Sequence, residues 1–114
     1  MAGEEQRLQI YCVTWYNLQY GDGRLYSNYN NPRSAVGGMI AKKMGLRAGV
    51  ADLSLMLEVG KIAYIELKIT KGVQSAAQKD FEQLCKAVGA PYFIARSIED
   101  FQKIIEQLRL DYRP

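Results

Sequence analysis

Residues 52–69 hold the pattern that most constrains what this chain can fold into. Asp52-Leu53-Ser54-Leu55-Met56-Leu57-Glu58 and Ile62-Ala63-Tyr64-Ile65-Glu66-Leu67-Lys68-Ile69 are two alternating runs separated by Val59-Gly60-Lys61. Two such runs around a short Gly-containing turn predict a β-hairpin. With the turn centred on Val59, Leu53 stands opposite Ile65 and Asp52 opposite Glu66. A slip of one residue would exchange the faces, because side chains alternate along a strand. In this register Leu53, Leu55, Ile65, Leu67 and Ile69 share one face, while Asp52, Glu66 and Lys68 share the other.

The second face is an electrostatic conflict. Opposed residues on paired strands sit about 4.5–5.5 Å apart at Cβ, and two carboxylates at that spacing repel unless a cation lies between them. A divalent ion is the natural occupant, since Mg²⁺ takes one or two carboxylates and keeps several waters. Lys68 follows Glu66 by two residues, points to the same face, and can hold a water for in-line attack on phosphorus. Taken singly, an acid or a lysine at a strand end is ordinary solvent-facing punctuation. An acid opposite an acid between Leu and Ile runs is the kind of local conflict that proteins retain at functional sites.

Composition narrows the chemistry further. The 114 residues predict a single domain, 1–114, with an ordinary 48% hydrophobic and 24% charged content. There is no histidine, and the two cysteines, Cys12 and Cys85, each lie in an apolar helical stripe. Histidine-based zinc sites, Ser-His-Asp triads and Cys-His pairs are therefore excluded, leaving carboxylate and lysine chemistry. No apolar stretch nears the roughly eighteen residues of a membrane span. The opening Met1-Ala2-Gly3-Glu4-Glu5 lacks the pattern of a secretory signal, so a cytoplasmic protein is expected. The net charge is +3, yet no Asp or Glu occurs from Gly23 to Ala51, where Arg24, Arg33, Lys42, Lys43 and Arg47 fall. That stretch is a candidate polyanion surface; the plainer reading is a solvated basic face.

Periodicity outlines the remaining elements. Leu8, Cys12 and Trp15, with Tyr11 beside them, predict a helix over about Glu4 to Leu18. Glu5 precedes Cys12 by seven residues and so points within about 20° of it, facing inward, whereas Glu4 is solvated. Tyr20 to Arg33 reads as a long loop, around which Tyr16, Tyr20, Tyr26 and Tyr29 edge the core by default, with stacking on bases or packing a dimer as the alternatives. Ser34 caps a short helix through Val36, Met39, Ile40 and Met44, stopped by Gly45. Ser75 caps a helix whose stripe is Ala77, Phe81, Leu84, Cys85 and Val88, ended by Gly89. A strand Tyr92 to Ala95 follows Pro91, and Ser97 opens a last helix with Ile98, Phe101, Ile104, Ile105 and Leu108 inward. The predicted order is α, (α), β, β, α, β, α: an α/β fold with a small mixed β-sheet and flanking helices.

Gly49-Val50-Ala51-Asp52-Leu53, followed after the hairpin turn by Ile65-Glu66-Leu67-Lys68, resembles the PD-(D/E)XK nuclease motif. The fuller pattern adds Glu5 and Gln9 in the first helix, Lys42-Lys43-Met44-Gly45-Leu46-Arg47-Ala48-Gly49, Lys71-Gly72, and Gln78 in the helix after the hairpin. It resembles the virus-type replication-repair nuclease (VRR-NUC) branch of that superfamily over roughly residues 5 to 108. The resemblance implies a restriction-endonuclease-like core in which Asp52, Glu66 and the Leu67 carbonyl bind Mg²⁺ or Mn²⁺. It also implies that Lys68 orients the nucleophile, Glu5 supplies a further acid at the metal, and Gln78 closes the site. Ser75-x-x-Gln78 reads equally well as a capping box. One departure is Ala51, where the family usually has proline.

By the same resemblance the activity is metal-dependent DNA endonuclease, structure-selective on branched DNA in the manner of a Holliday-junction resolvase, carried out by a homodimer. Lys42, Lys43, Arg47 and Lys71 would contact the DNA backbone. A different class is a non-catalytic DNA-binding or assembly module that keeps the fold; the intact Glu5, Asp52, Glu66 and Lys68 argue against it. A nucleotide-binding protein is disfavoured, because neither Gly37-Gly38 nor Gly72 is followed by Gly-Lys-Ser/Thr after a strand.

Overall fold

The computed structural model describes residues 3–28 and 35–113. The chain runs α1 (Glu4–Gln19), β1 (Leu25–Ser27), α2 (Ala35–Lys43), β2 (Leu53–Met56), β3 (Ile62–Leu67), α3 (Ala76–Val88), β4 (Tyr92–Ala95) and α4 (Ile98–Asp111). The hairpin takes the expected register, with Leu53 opposite Ile65 and Met56 opposite Ile62. A single 3-10 turn at Glu58–Gly60 joins its strands, with Val59 in the left-handed region at φ 58°, a conformation rare for a β-branched residue. Strand β4 lies parallel to β3, which requires the crossover that α3 provides. The sheet order is β1-β2-β3-β4, so the mixed α/β architecture expected from the pattern is the one observed.

Strand β1 corrects the reading of residues 20–33 as a loop throughout. Leu25 to Ser27 pair antiparallel with Leu53 to Leu55, and the pairing carries on as the Asn28 N–H donates to the Asp52 carbonyl at 2.9 Å. The strand is three residues long and only Leu25 is buried, too little for a period-2 signal to register.

Two apolar layers cover the sheet. Cys12 and Tyr16 of α1 and Phe101, Ile105 and Leu108 of α4 pack on the face built by Leu53, Leu55, Ala63, Ile65 and Leu67. Phe81 and Cys85 of α3 pack on the opposite face with Ala51, Tyr64 and Tyr92. The stripe expected for α3 is narrower than its periodicity implied, since Leu84 and Val88 are exposed. Helix α2 turns Val36, Met39 and Ile40 to solvent. No helix among the described residues is long and apolar enough to cross a membrane.

The tyrosines expected around the long loop divide by position. Tyr16 is fully buried and donates its hydroxyl to Asp22 Oδ1 at 2.9 Å, while the Arg109 guanidinium donates to both Tyr16 and Asp22 at 3.0 Å. Tyr20 packs edge-on against Trp15, with the Arg109 guanidinium 3.9 Å from its ring centre. Both rings pack around Arg109. Tyr26 is exposed on β1, and Tyr29, Arg33 and Ser34 lie outside the described residues.

Candidate active site

Asp52 stands just before β2, at the end of the hairpin opposite the turn, and Glu66 lies one residue from the end of β3. Asp52 is fixed from both sides. Its Oδ2 accepts the Leu67 N–H at 2.7 Å, and its carbonyl accepts the Asn28 N–H. The Asn28 side chain reinforces this bend, donating to the Ala51 carbonyl at 3.1 Å and to the buried Ser54 hydroxyl at 2.7 Å. Asn28, through its side chain and its backbone N–H, thus holds the chain at Ala51 and Asp52.

Glu66 is 2% exposed. One oxygen, Oε2, accepts from Gln78 Nε2 at 3.0 Å, and the other, Oε1, is buried with no hydrogen-bond partner. Burial above all, then the charge of Asp52 and hydrogen bonding to it, push the Glu66 carboxyl up from 4.5 to about 8; Lys68 pulls it down and Glu5 adds to the rise. The neutral form can share its proton with Asp52. The ionised form leaves Oε1 without a donor, and a buried charged oxygen in that state is costly.

Gln78 both caps α3 and hydrogen-bonds Glu66. Its Oε1 accepts the Ser75 N–H at 2.8 Å while its own N–H donates to Ser75 Oγ at 3.2 Å, closing a capping box at the start of α3. Spending the carbonyl on the cap leaves the amide NH₂ to face Glu66. The helix N-terminus thereby sets which end of the amide meets the carboxylate.

Gly49 makes this contact possible. It has φ +83°, and a Cβ there would lie 2.3 Å from the Ala77 carbonyl carbon and 2.7 Å from the Gln78 nitrogen. Only glycine lets the segment before Asp52 lie flat on the first turn of α3. Arg47 flanks the same helix, its guanidinium 6.0 Å from the Phe81 ring centre.

On the other side of the sheet end, Glu5 and Lys68 meet at Gly72. A Cβ on Gly72 would lie 3.3 Å from Lys68 Cδ and 3.6 Å from Glu5 Oε2. Glu5 thus turns its carboxylate toward this end of the site, as its helical position implied, but it is exposed instead of buried. Arg96 holds the loop that carries Gly72, donating from Nη1 to the Ile69 carbonyl at 3.1 Å and the Gly72 carbonyl at 2.7 Å. Lys42, Lys43, Arg47 and Lys71 are all exposed. Gln9 donates to Ser27 Oγ at 3.2 Å and ties α1 to β1.

The structure therefore gathers Asp52, Glu66 and Gln78 directly, with Lys68 acting on Glu66 and Glu5 reaching the rim. Among the described residues no three or more His, Cys, Asp or Glu side chains form a group able to hold a metal by themselves. Two adjacent carboxylates, one with an orphaned buried oxygen, still suit a hard divalent cation that keeps part of its water shell. Sequence reasoning missed Asn28, the contact of Gly49 with α3, and Arg96. Each acts across a long sequence separation, and only the Gly49 position carried a local signal, as part of the motif.

The sheet order, the crossover helix and the helices on both faces define a restriction-endonuclease-like α/β fold. A solved structure described as a VRR_NUC domain protein matches it with a TM-score of 0.78, covering 95% of this chain and 89% of that chain at 19% identity. The chain thus shares its fold with that VRR_NUC domain protein. No protein-family model matches the sequence, and no curated protein is similar enough to match it.

Proposed function

We propose that this protein is a metal-dependent nuclease that hydrolyses DNA phosphodiester bonds. The observation that carries the reading is the buried, unpartnered Glu66 Oε1 beside Asp52 on a fold of this class. A divalent ion, Mg²⁺ or Mn²⁺, would be held by Asp52, Glu66 and the Leu67 carbonyl, with Glu5 at the rim, and supplies charge stabilisation and an acidified water. Such a cation would take the place of the proton that the two acids otherwise share, pairing with both carboxylates in their ionised form.

The chain's own groups do the rest. Leu67 N–H and Asn28 hold Asp52 in its bend, and Gln78 fixes the orientation of Glu66. Lys68 lies near enough to Glu66 to lower its proton affinity, and its ammonium orients the attacking water and offsets charge developing on the phosphate. Lys42, Lys43, Arg47 and Lys71 contact backbone phosphates, so binding weakens steeply with salt and carries little sequence preference. The resemblance of the motifs extends the proposal to branched DNA cut by a homodimer.

The test is cleavage of labelled four-way junction, flap and continuous duplex DNA with Mg²⁺, with Mn²⁺ and with chelator. Metal-dependent cutting that favours a branched substrate is the expected result. DNA bound but uncut on every substrate and with either metal would replace the nuclease reading with that of a non-catalytic DNA-binding module.

A further inference from the structure

Beside the candidate active site, on the far side of the loop that follows Lys68, lies a second concavity of about 260 Å³. Positions 4, 7, 8 and 11 of α1 form one of its walls at helical spacing, and Ile69, Thr70 and Arg96 form the other. Leu8 and Ile69 supply apolar lining. Tyr11 stands at its edge, 61% exposed although it is a large aromatic on a well-formed helix. The Arg96 guanidinium is pinned by the Ile69 and Gly72 carbonyls, neutral acceptors that orient it and leave its charge intact. Arg7 adds a second guanidinium to the lining, and Glu4 is the one acid there.

The shape and lining select the occupant. The concavity is shallow and open, which suits one flat ring laid against its wall in place of a helix or a peptide. An aromatic edge, an apolar lining, a hydroxyl and two guanidiniums match a nucleobase with its flanking phosphate. The cleft takes Ile69 and Thr70 from the loop that follows Lys68, so a strand engaged at Lys68 passes beside it.

We propose that this cleft receives one unpaired base of the substrate strand, stacked on Tyr11 beside the guanidiniums of Arg96 and Arg7. The inference rests on the nuclease reading and supplies a physical source for selectivity toward branched DNA. A base paired in continuous duplex cannot enter the cleft unless it first unstacks and unpairs, whereas a base at a fork is already available. Branched DNA is then recognised by a free base at the branch, and sequence matters little because every base has a π-face to stack.

The test reads binding without cutting. A forked DNA with 2-aminopurine at each unpaired position next to the fork is titrated with wild type, Tyr11→Phe and Tyr11→Ala in chelator, alongside a matched continuous duplex. Tyr11 is exposed, so its removal opens no core cavity. Wild type and Tyr11→Phe quench the probe at one position. Tyr11→Ala loses that quenching, and its ratio of fork to duplex affinity falls about tenfold, within the range that base–aromatic stacking supplies. Undiminished quenching by Tyr11→Ala, or an unchanged affinity ratio, would overturn the proposal. A wild type that quenches but never cuts with metal leaves the cleft standing and removes the nuclease reading. A wild type that cuts while Tyr11→Ala quenches equally does the reverse.

Discussion

Gln78 donates its amide N–H to Glu66 Oε2 at 3.0 Å while its amide oxygen caps α3 through the Ser75 N–H at 2.8 Å. One side chain thus joins the start of a helix to the more buried of the two carboxylates. The cap stabilises, the carboxylate contact orients, and the two effects can be separated by mutation.

Gln78→Ala and Ser75→Ala each remove part of the capping box and are expected to cost about 1 kcal/mol of stability. Only Gln78→Ala also releases Glu66. Its kcat should fall about 10- to 100-fold, the usual cost of losing a partner that orients a metal-binding carboxylate, while Ser75→Ala cuts near the wild-type rate. Urea unfolding and steady-state cleavage of the same two variants check this pair of outcomes.

Glu66→Gln should trade activity for stability. The amide can accept from Gln78 and donate toward Asp52, which removes both the orphaned oxygen and the repulsion between the acids. In chelator the variant is expected to be more stable than wild type by about 1–3 kcal/mol, the cost of a buried unsatisfied group, and to cut no DNA with metal restored. Denaturant melts give the first quantity and a gel cleavage assay the second. A variant less stable than wild type in chelator would contradict the conflict described at this site.

Gly49→Ala tests the close approach of the motif segment to α3. The variant meets a strained φ of +83° and a Cβ contact of 2.3 Å with backbone atoms of Ala77. Gly23→Ala meets a similar φ of +72° but open space. The Gly23 change should cost about 1 kcal/mol and leave cleavage intact. The Gly49 change should cost more than about 2 kcal/mol and suppress cleavage by displacing Asp52 from Glu66 and Gln78. Paired melting curves and cleavage rates provide the comparison.

The Tyr16, Asp22 and Arg109 cluster, on α1, the α1–β1 connection and α4, sets an acid limit on stability. Burial raises the Asp22 pKa, but hydrogen bonds from the Arg24 N–H, Arg109 and Tyr16 outweigh that and hold it below its usual 3.8. Folding therefore favours the charged carboxylate. Its contribution is complete above the usual carboxylate value and is lost as pH falls through the lowered folded value. Asp22→Asn should lose about 2 kcal/mol at pH 7, and the gap from wild type should shrink below about pH 4. Urea midpoints measured from pH 7 down to pH 3 check the slope.

Much of the fold is legible in the sequence wherever burial is periodic. The register of Leu53 with Ile65, the strand Tyr92–Ala95 and the limits of α3 and α4 all follow from alternation, helical stripes and capping residues. The nearness of Asp52 to Glu66 follows from the same register, since Asp52 directly precedes the Leu53–Ile65 pair. What stayed hidden lacks a period. Strand β1 buries only Leu25, and Asn28 and Arg96 hold the site through hydrogen bonds to backbone 23 or more residues away. The partners of Tyr16 were not readable either, because a tyrosine beside a polar loop looks the same whether its hydroxyl meets water or an Asp22–Arg109 pair. By our proposal the base-stacking aromatic is Tyr11, on the exposed side of α1.

The central claim is that Asp52 and Glu66 together carry out metal-dependent hydrolysis of DNA, and one comparison tests it most directly. Wild type and Asp52→Asn are assayed side by side for binding and for cleavage of a branched DNA, with Mg²⁺ and with chelator. The account predicts that the substitution and the chelator each abolish cutting, while DNA binding by the variant persists because the phosphate-contacting lysines and arginines are untouched. Cutting by Asp52→Asn at the wild-type rate, or cutting by wild type that survives the chelator, would contradict it.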